Sequence, residues 1–136
     1  FCGGNKVGLR HASGRYVLFI NSDTVVRPGW LTALVRYADA DPRAGLLGPM
    51  LRNPDGTLQY SCRRFPTLGA GLFRNTPLEW FFPRNRFTGD YLMRDWDHAE
   101  PRNVDWLSGA CLMARRALID AVGAWGEGYF MYFEDV

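Results

Sequence analysis

The chain has 136 residues, of which 47% are hydrophobic, 15% aromatic and 22% charged, with a formal net charge of +2. That is the composition of a folded globular domain with a real core, and it excludes a disordered tail or a collagen-like repeat. No run reaches the ~18 uninterrupted apolar residues of a membrane-spanning helix, and so small a charge, without a Lys/Arg stripe, gives no reason to expect a nucleic-acid partner. Cys2, Cys62 and Cys111 are odd in number and far apart, with no zinc-type spacing, and read as reduced thiols in a cytoplasmic protein, with Cys111 buried.

In chain order, Asn5–Ala12 predicts a short helix ended by Gly14, preceded by the Gly3-Gly4 pair. Tyr16–Ile20 is a continuous apolar run, the pattern of a strand buried on both faces of a mostly parallel sheet. It gives way to Asn21-Ser22-Asp23-Thr24. Pro28-Gly29 opens a helix to about Asp39, with Trp30, Leu31, Leu34, Val35 and Ala38 on one stripe, and Gly45–Leu51 predicts a second strand. Asn53-Pro54-Asp55-Gly56 is a turn signature that joins Leu51-Arg52 to Thr57–Tyr60 as a hairpin. Residues 63–103 are aromatic-rich and weakly periodic, with helices expected only near Ala70–Asn75 and Leu78–Phe82; such a segment inside a domain reads as a functional loop. Val104–Met113 predicts a strand interrupted at Ser108-Gly109-Ala110. Ala114–Val122 follows as a helix with Leu118, Ile119 and Val122 inward and Gly123 as its stop. The alternation of helices and strands predicts an α/β layered fold.

Several residues have the chemistry of a site. Asp23 follows a buried strand, and ligands of open α/β sheets bind at the carboxyl ends of strands. Beside Asn21, Ser22 and Thr24 it is suited to a hard divalent cation; equally, Asp23 and Thr24 serve as turn caps before Pro28. Glu134-Asp135 follows the apolar run Phe130–Phe133, where desolvation raises a carboxylate toward the range of a general base, and where a helix N-terminus is the competing reading. Gly4 and Asn5 are candidates to cradle a phosphate. Arg115-Arg116 is either an anion contact or a solvated pair. Trp106, ahead of Gly109-Ala110, is a sugar platform or a core ring.

Four blocks in order, FCGGNKVGLR at Phe1–Arg10, GRYVLFINSDTVV at Gly14–Val26, VDWLSGACLMARR at Val104–Arg116 and GAWGEGYFMYFEDV at Gly123–Val136, closely resemble family 2 glycosyltransferases of the rhamnosyltransferase-like branch. The resemblance implies a GT-A fold, a Rossmann-like three-layer sandwich with a mostly parallel central sheet. The 136 residues would then be the central and C-terminal portion of one catalytic domain, with nucleobase-reading strands expected before Phe1 and a further helix after Val136. It places Asn21, Ser22 and Asp23 at the family's D-x-D-type donor motif, with Asn21 replacing the first Asp and Asp23 as ligand of Mg²⁺ or Mn²⁺. Trp106, Gly109 and Ala110 fall on the acceptor side. Glu134 and Asp135 fall on the catalytic E-D pair, with Asp135 as base, while Gly126-Glu127 stands where many relatives carry Asp-Glu.

The implied reaction is inverting transfer of a sugar, most commonly rhamnose, from a nucleoside diphosphate to a glycan or lipid-linked acceptor in cell-envelope or exopolysaccharide synthesis. The implied location is cytoplasmic or peripheral at the inner face of the membrane, where Leu72, Phe73, Trp80, Phe81 and Phe82 have the composition of an interfacial wedge. The competing expectations are a non-catalytic carbohydrate-binding or scaffolding relative, and an inactive truncated fragment.

Overall fold

The computed structural model describes residues 2–74 and 76–123, which fall into two compact units. One takes the residues up to Pro49 together with those from Ser108; the other is Met50–Leu107.

The first unit contains α1 (Cys2–His11), β1 (Tyr16–Ile20), α2 (Trp30–Ala40) and β2 (Leu46–Leu47). From the later part of the chain it adds a five-residue strand, Cys111–Arg115, and a terminal helix, Arg116–Val122. β1 and β2 run in the same direction, joined across α2, as the β–α–β reading requires. The late strand inserts between them, antiparallel to both, with Tyr16 opposite Arg115, Ile20 opposite Cys111 and Leu47 opposite Met113. The α/β class therefore stands, and the mostly parallel sheet is not confirmed: every strand pair among the described residues is antiparallel. An apolar run reports burial and not the direction of its neighbour. β1 is also less enclosed than its sequence suggests, since Val17 and Phe19 are buried while Ile20 is 39% exposed.

Ala38, Leu47 and Met113 form the centre of this unit's core, with Leu18, Leu34, Val35 and Ala44 packed around them. The expected stripe of α2 thus turns inward through Ala38, Leu34 and Val35, whereas Leu31 stays 41% exposed. Gly29, at φ 83°, starts the helix in a left-handed conformation that favours glycine. The guanidinium of Arg115 closes the other end. It donates to the carbonyls of Ala38, Asp41 (3.0 Å) and Ala44 (2.9 Å) and to Tyr16 Oη (3.0 Å), satisfying carbonyls that a helix C-terminus leaves open. Tyr16 in turn donates to Asp39 at 2.7 Å, so Asp39 is held below the usual carboxylate range, first by Tyr16 and then by Arg15. In the terminal helix only Ile119 is buried; Val122 is 74% exposed, which corrects the expected inward face.

In the second unit, β3 (Leu51–Arg52) and β4 (Leu58–Gln59) pair as the expected hairpin, Leu51 opposite Gln59. Its turn is closed by Asp55, which accepts from the Thr57 N–H at 2.9 Å, and by Gly56 at φ 85°. β5 (Cys62–Arg63) pairs with β6 (Trp106–Leu107), so β6 and the strand at Cys111–Arg115, hereafter β7, belong to different sheets and not to one interrupted strand. Between them the chain forms three short helices, α3 (Leu68–Phe73), α4 (Pro77–Phe81) and α5 (Arg86–Tyr91). Thr67 caps α3 by accepting from the Ala70 N–H at 3.1 Å, and Asn85 caps α5 through the Thr88 N–H at 2.8 Å. The terminal helix of the first unit is α6.

Candidate functional site

β1 delivers its polar exit directly onto the start of β7. The register continues past Ile20–Cys111, so the Asn21 N–H donates to the Ala110 carbonyl at 3.0 Å. The chain then turns, with the Thr24 N–H on the Asn21 carbonyl at 3.1 Å, and Thr24 Oγ1 reaches the same Ala110 oxygen at 3.4 Å. Asn21, Ser22 and Asp23 are all exposed on this turn. Ala110 is fixed from its own side as well, its N–H donating to Ser108 Oγ at 3.4 Å. Two segments far apart in sequence, the polar turn and the Gly109-Ala110 loop, are thus one local structure. Thr24 and Ser108 are its anchors; the sequence marked them only as polar neighbours, because strand pairing across the chain has no local signal.

The other sequence candidates are distributed differently. Gly4 and Asn5 lie within α1 and not in a loop ahead of it, and a Cβ at Gly4 would meet nothing within 4 Å, so no glycine cradle is built there. Asn5 Nδ2 is nevertheless buried without a hydrogen-bond partner among the described residues. Arg115 is consumed by the α2 carbonyls, and Arg116 by Asp120 (2.9 Å) and the Ala12 carbonyl (2.6 Å), which removes both as anion contacts. Trp106 belongs to the second unit, where the Arg63 guanidinium lies 4.6 Å from its ring centroid and Tyr91 at 6.5 Å. One face of the ring is therefore already covered, and its Nε1 is buried without a partner among the described residues. Glu134, Asp135 and Gly126-Glu127 lie outside the described residues, as does the side chain of Cys2. Cys62 and Cys111 are buried and unbridged, and burial pushes both thiols up, the opposite of what a thiolate nucleophile needs.

Among the described residues no three His, Cys, Asp or Glu side chains come together to hold a metal ion. Asp23 offers one exposed carboxylate among the oxygen-bearing side chains of Asn21 and Ser22. Mg²⁺ takes only one or two protein carboxylates when substrate phosphates and water complete its shell. The donor set therefore fits a cation shared with a bound phosphate, and not a protein cage. No helix among the described residues is long and apolar enough to cross a membrane.

A family model described as glycosyl transferase family 2 matches residues 2–122. The chain belongs to glycosyl transferase family 2. This family 2 chain is 43% identical over 121 residues to a protein of Mycobacterium tuberculosis named N-acetylglucosaminyl-diphospho-decaprenol L-rhamnosyltransferase, a match covering 89% of this chain and 39% of that protein. It is 30% identical over 135 residues to the O-antigen biosynthesis protein RfbC of Myxococcus xanthus, covering 97% of this chain and 10% of that one. It is 26% identical over 134 residues to the rhamnosyltransferase WbbL of Escherichia coli, covering 96% and 47%. The chain thus spans less than half the length of each of these family 2 relatives. No solved structure matches it.

Proposed function

We propose that the whole protein is an inverting glycosyltransferase that moves a sugar, rhamnose, from a nucleoside diphosphate to a lipid-linked or glycan acceptor during cell-envelope polysaccharide synthesis. The proposal includes a GT-A domain and work at the inner face of the membrane, where a lipid-linked acceptor lies. The observation that carries it is the junction at Ala110, which ties the Asn21–Asp23 turn to the Gly109-Ala110 loop. Transfer needs a donor site and an acceptor site that share one reacting carbon, and two bound loops on one strand end supply such a pair. The names of the mycobacterial and Escherichia coli relatives support the choice of sugar, and the former supports a lipid-linked diphosphate acceptor.

In this reading the Asp23 carboxylate, with Asn21 and Ser22 beside it, holds Mg²⁺ or Mn²⁺ together with the donor's diphosphate. The cation, when bound, supplies positive charge against the negative charge that grows on the leaving diphosphate. The Ala110 carbonyl keeps the turn in place by engaging its first and last residues, so the backbone that carries Asp23 is held before the donor binds. Asp135 accepts the proton of the acceptor hydroxyl, as the hydroxyl oxygen bonds to the anomeric carbon and the diphosphate departs with the electrons of the broken C–O bond. Gly109 and Ala110 border the acceptor. Glu134 positions the base, and Asn5 contributes to the donor side.

The test is a transfer assay on the full-length protein with a nucleoside diphosphate-rhamnose donor and a polyprenyl-diphosphate-linked sugar acceptor. Asp135→Asn is expected to lower kcat by about 10²–10⁴-fold, the usual worth of a general base, with donor affinity unchanged. Absence of both transfer and donor hydrolysis in the wild-type protein would turn the reading to a non-catalytic carbohydrate-binding relative.

A further inference from the structure

The aromatic face of the second unit has no role in the site described above. Trp80 is 81% exposed, Phe81 66% and Phe82 57%. The rings form two packed groups along the chain: Trp80 meets Phe81 edge to face at 5.0 Å, and Phe82 meets Phe73 at 6.1 Å. Phe73 in turn stacks on Phe87 at 5.6 Å, so each group is held by ring contacts, and the two are consecutive in the chain at Phe81-Phe82. Contiguous exposed apolar surface of this kind marks an interaction site.

The surrounding charge selects the partner. Phe82 is followed by Pro83-Arg84-Asn85-Arg86, and these residues line an open cavity of about 680 Å³ together with Arg94 and Tyr60. Asp90 and Asp95 also line it, but Arg86 engages Asp90 at 3.4 Å and Arg102 engages Asp95 at 3.1 Å. Arg84 has no carboxylate partner among the described residues. The Arg94 guanidinium donates to the Pro83 carbonyl at 3.2 Å, lies over the Tyr60 ring and has no carboxylate partner among the described residues. Exposed Trp and Phe bordered by arginines that lack carboxylate partners match the boundary of an acidic bilayer, where rings enter between head groups and acyl chains and guanidinium groups meet lipid phosphates. We propose that α4 and the Arg84–Arg94 cavity beside it form a docking surface for an anionic lipid bilayer, with a lipid phosphate seated among the arginines. The inference rests on the membrane-side placement proposed above and gives it a surface.

Sedimentation of the full-length protein with vesicles tests it, using phosphatidylcholine alone and phosphatidylcholine mixed with phosphatidylglycerol. The wild type is expected to prefer the mixed vesicles. Trp80→Ser with Phe81→Ser should lower partitioning onto them at least about tenfold. Arg84→Gln with Arg94→Gln should lower it by about fivefold per arginine and leave the weak binding to phosphatidylcholine unchanged. Wild-type binding indifferent to lipid charge, or aromatic variants within twofold of wild type, overturns the proposal; a protein partner or another part of the chain then covers the patch. Nucleoside diphosphate titration of the same samples separates the two readings. Nucleotide binding without vesicle binding removes the docking surface alone, and vesicle binding without nucleotide binding removes the transferase reading alone.

Discussion

The Asn21 N–H and the Thr24 hydroxyl converge on one acceptor, the Ala110 carbonyl, at 3.0 and 3.4 Å. A carbonyl has two lone pairs, so both donors are accommodated, and the turn carrying Asp23 is clamped at each end. The backbone that carries Asp23 is therefore held by a contact spanning 86 residues of sequence, and not by the turn alone.

Thr24→Val keeps the side-chain shape and removes the hydroxyl. The Ala110 oxygen retains the Asn21 donor, so the loss is expected to be small, about 0.5–1 kcal/mol by urea denaturation. A loosened turn should weaken nucleoside diphosphate binding by about two- to fivefold, the same energy expressed as affinity. Unchanged stability and affinity would mean that the hydroxyl does not anchor the turn.

Met113 is 1% exposed and lies between Ala38 and Leu47. Met113→Ala leaves a cavity between β7 and α2 and is expected to cost about 2–5 kcal/mol, measured by the urea midpoint. Ile119→Val, on the single buried position of α6, should cost only about 0.5–1.5 kcal/mol. Equal losses would contradict the placement of the core centre at Met113.

His98 is buried, stacks on Trp96 at 3.9 Å, and among the described residues has no hydrogen-bond partner for either ring nitrogen. Burial lowers its pKa, with Asp97 pulling weakly the other way. The unfolded chain therefore takes up the proton first. The stabilising contribution of the neutral ring is complete above the ordinary imidazole value, about 6.5, and is lost as the pH falls through the depressed folded value. His98→Asn tolerates the left-handed backbone at φ 60° and cannot titrate. The urea midpoint should fall less between mildly alkaline and mildly acidic pH in this variant than in the wild type. Parallel declines in the two proteins would assign the pH dependence elsewhere.

What the sequence revealed follows the range of the physics involved. The turn at Asn53–Gly56, the helix start at Gly29 and the helix stop at Gly123 were legible because one residue's φ or one side-chain bond decides them. The placement of Asp23 at a strand end was legible from the abrupt change after Ile20. The partner of β1 was not, because Tyr16–Ile20 pairs with Arg115–Cys111 across most of the chain. Arg115 was open between ligand and surface for the same reason: the carbonyls it closes belong to α2. α5 was missed outright, since RFTGDY has no apolar period and is set by the Asn85 cap and by Phe87 stacking on Phe73.

The most direct measurement is calorimetric titration of a nucleoside diphosphate, with and without Mn²⁺, into the full-length protein and its Asp23→Ala variant. Because Asp23 is exposed, the substitution should leave stability within about 0.5 kcal/mol of wild type, so a change in binding reports on the site. If Asp23 holds the cation against the donor's diphosphate, wild-type binding strengthens with Mn²⁺ and the strengthening disappears in the variant. Tight binding that ignores both Mn²⁺ and Asp23 would contradict the assignment of the donor site to the Asn21–Asp23 turn.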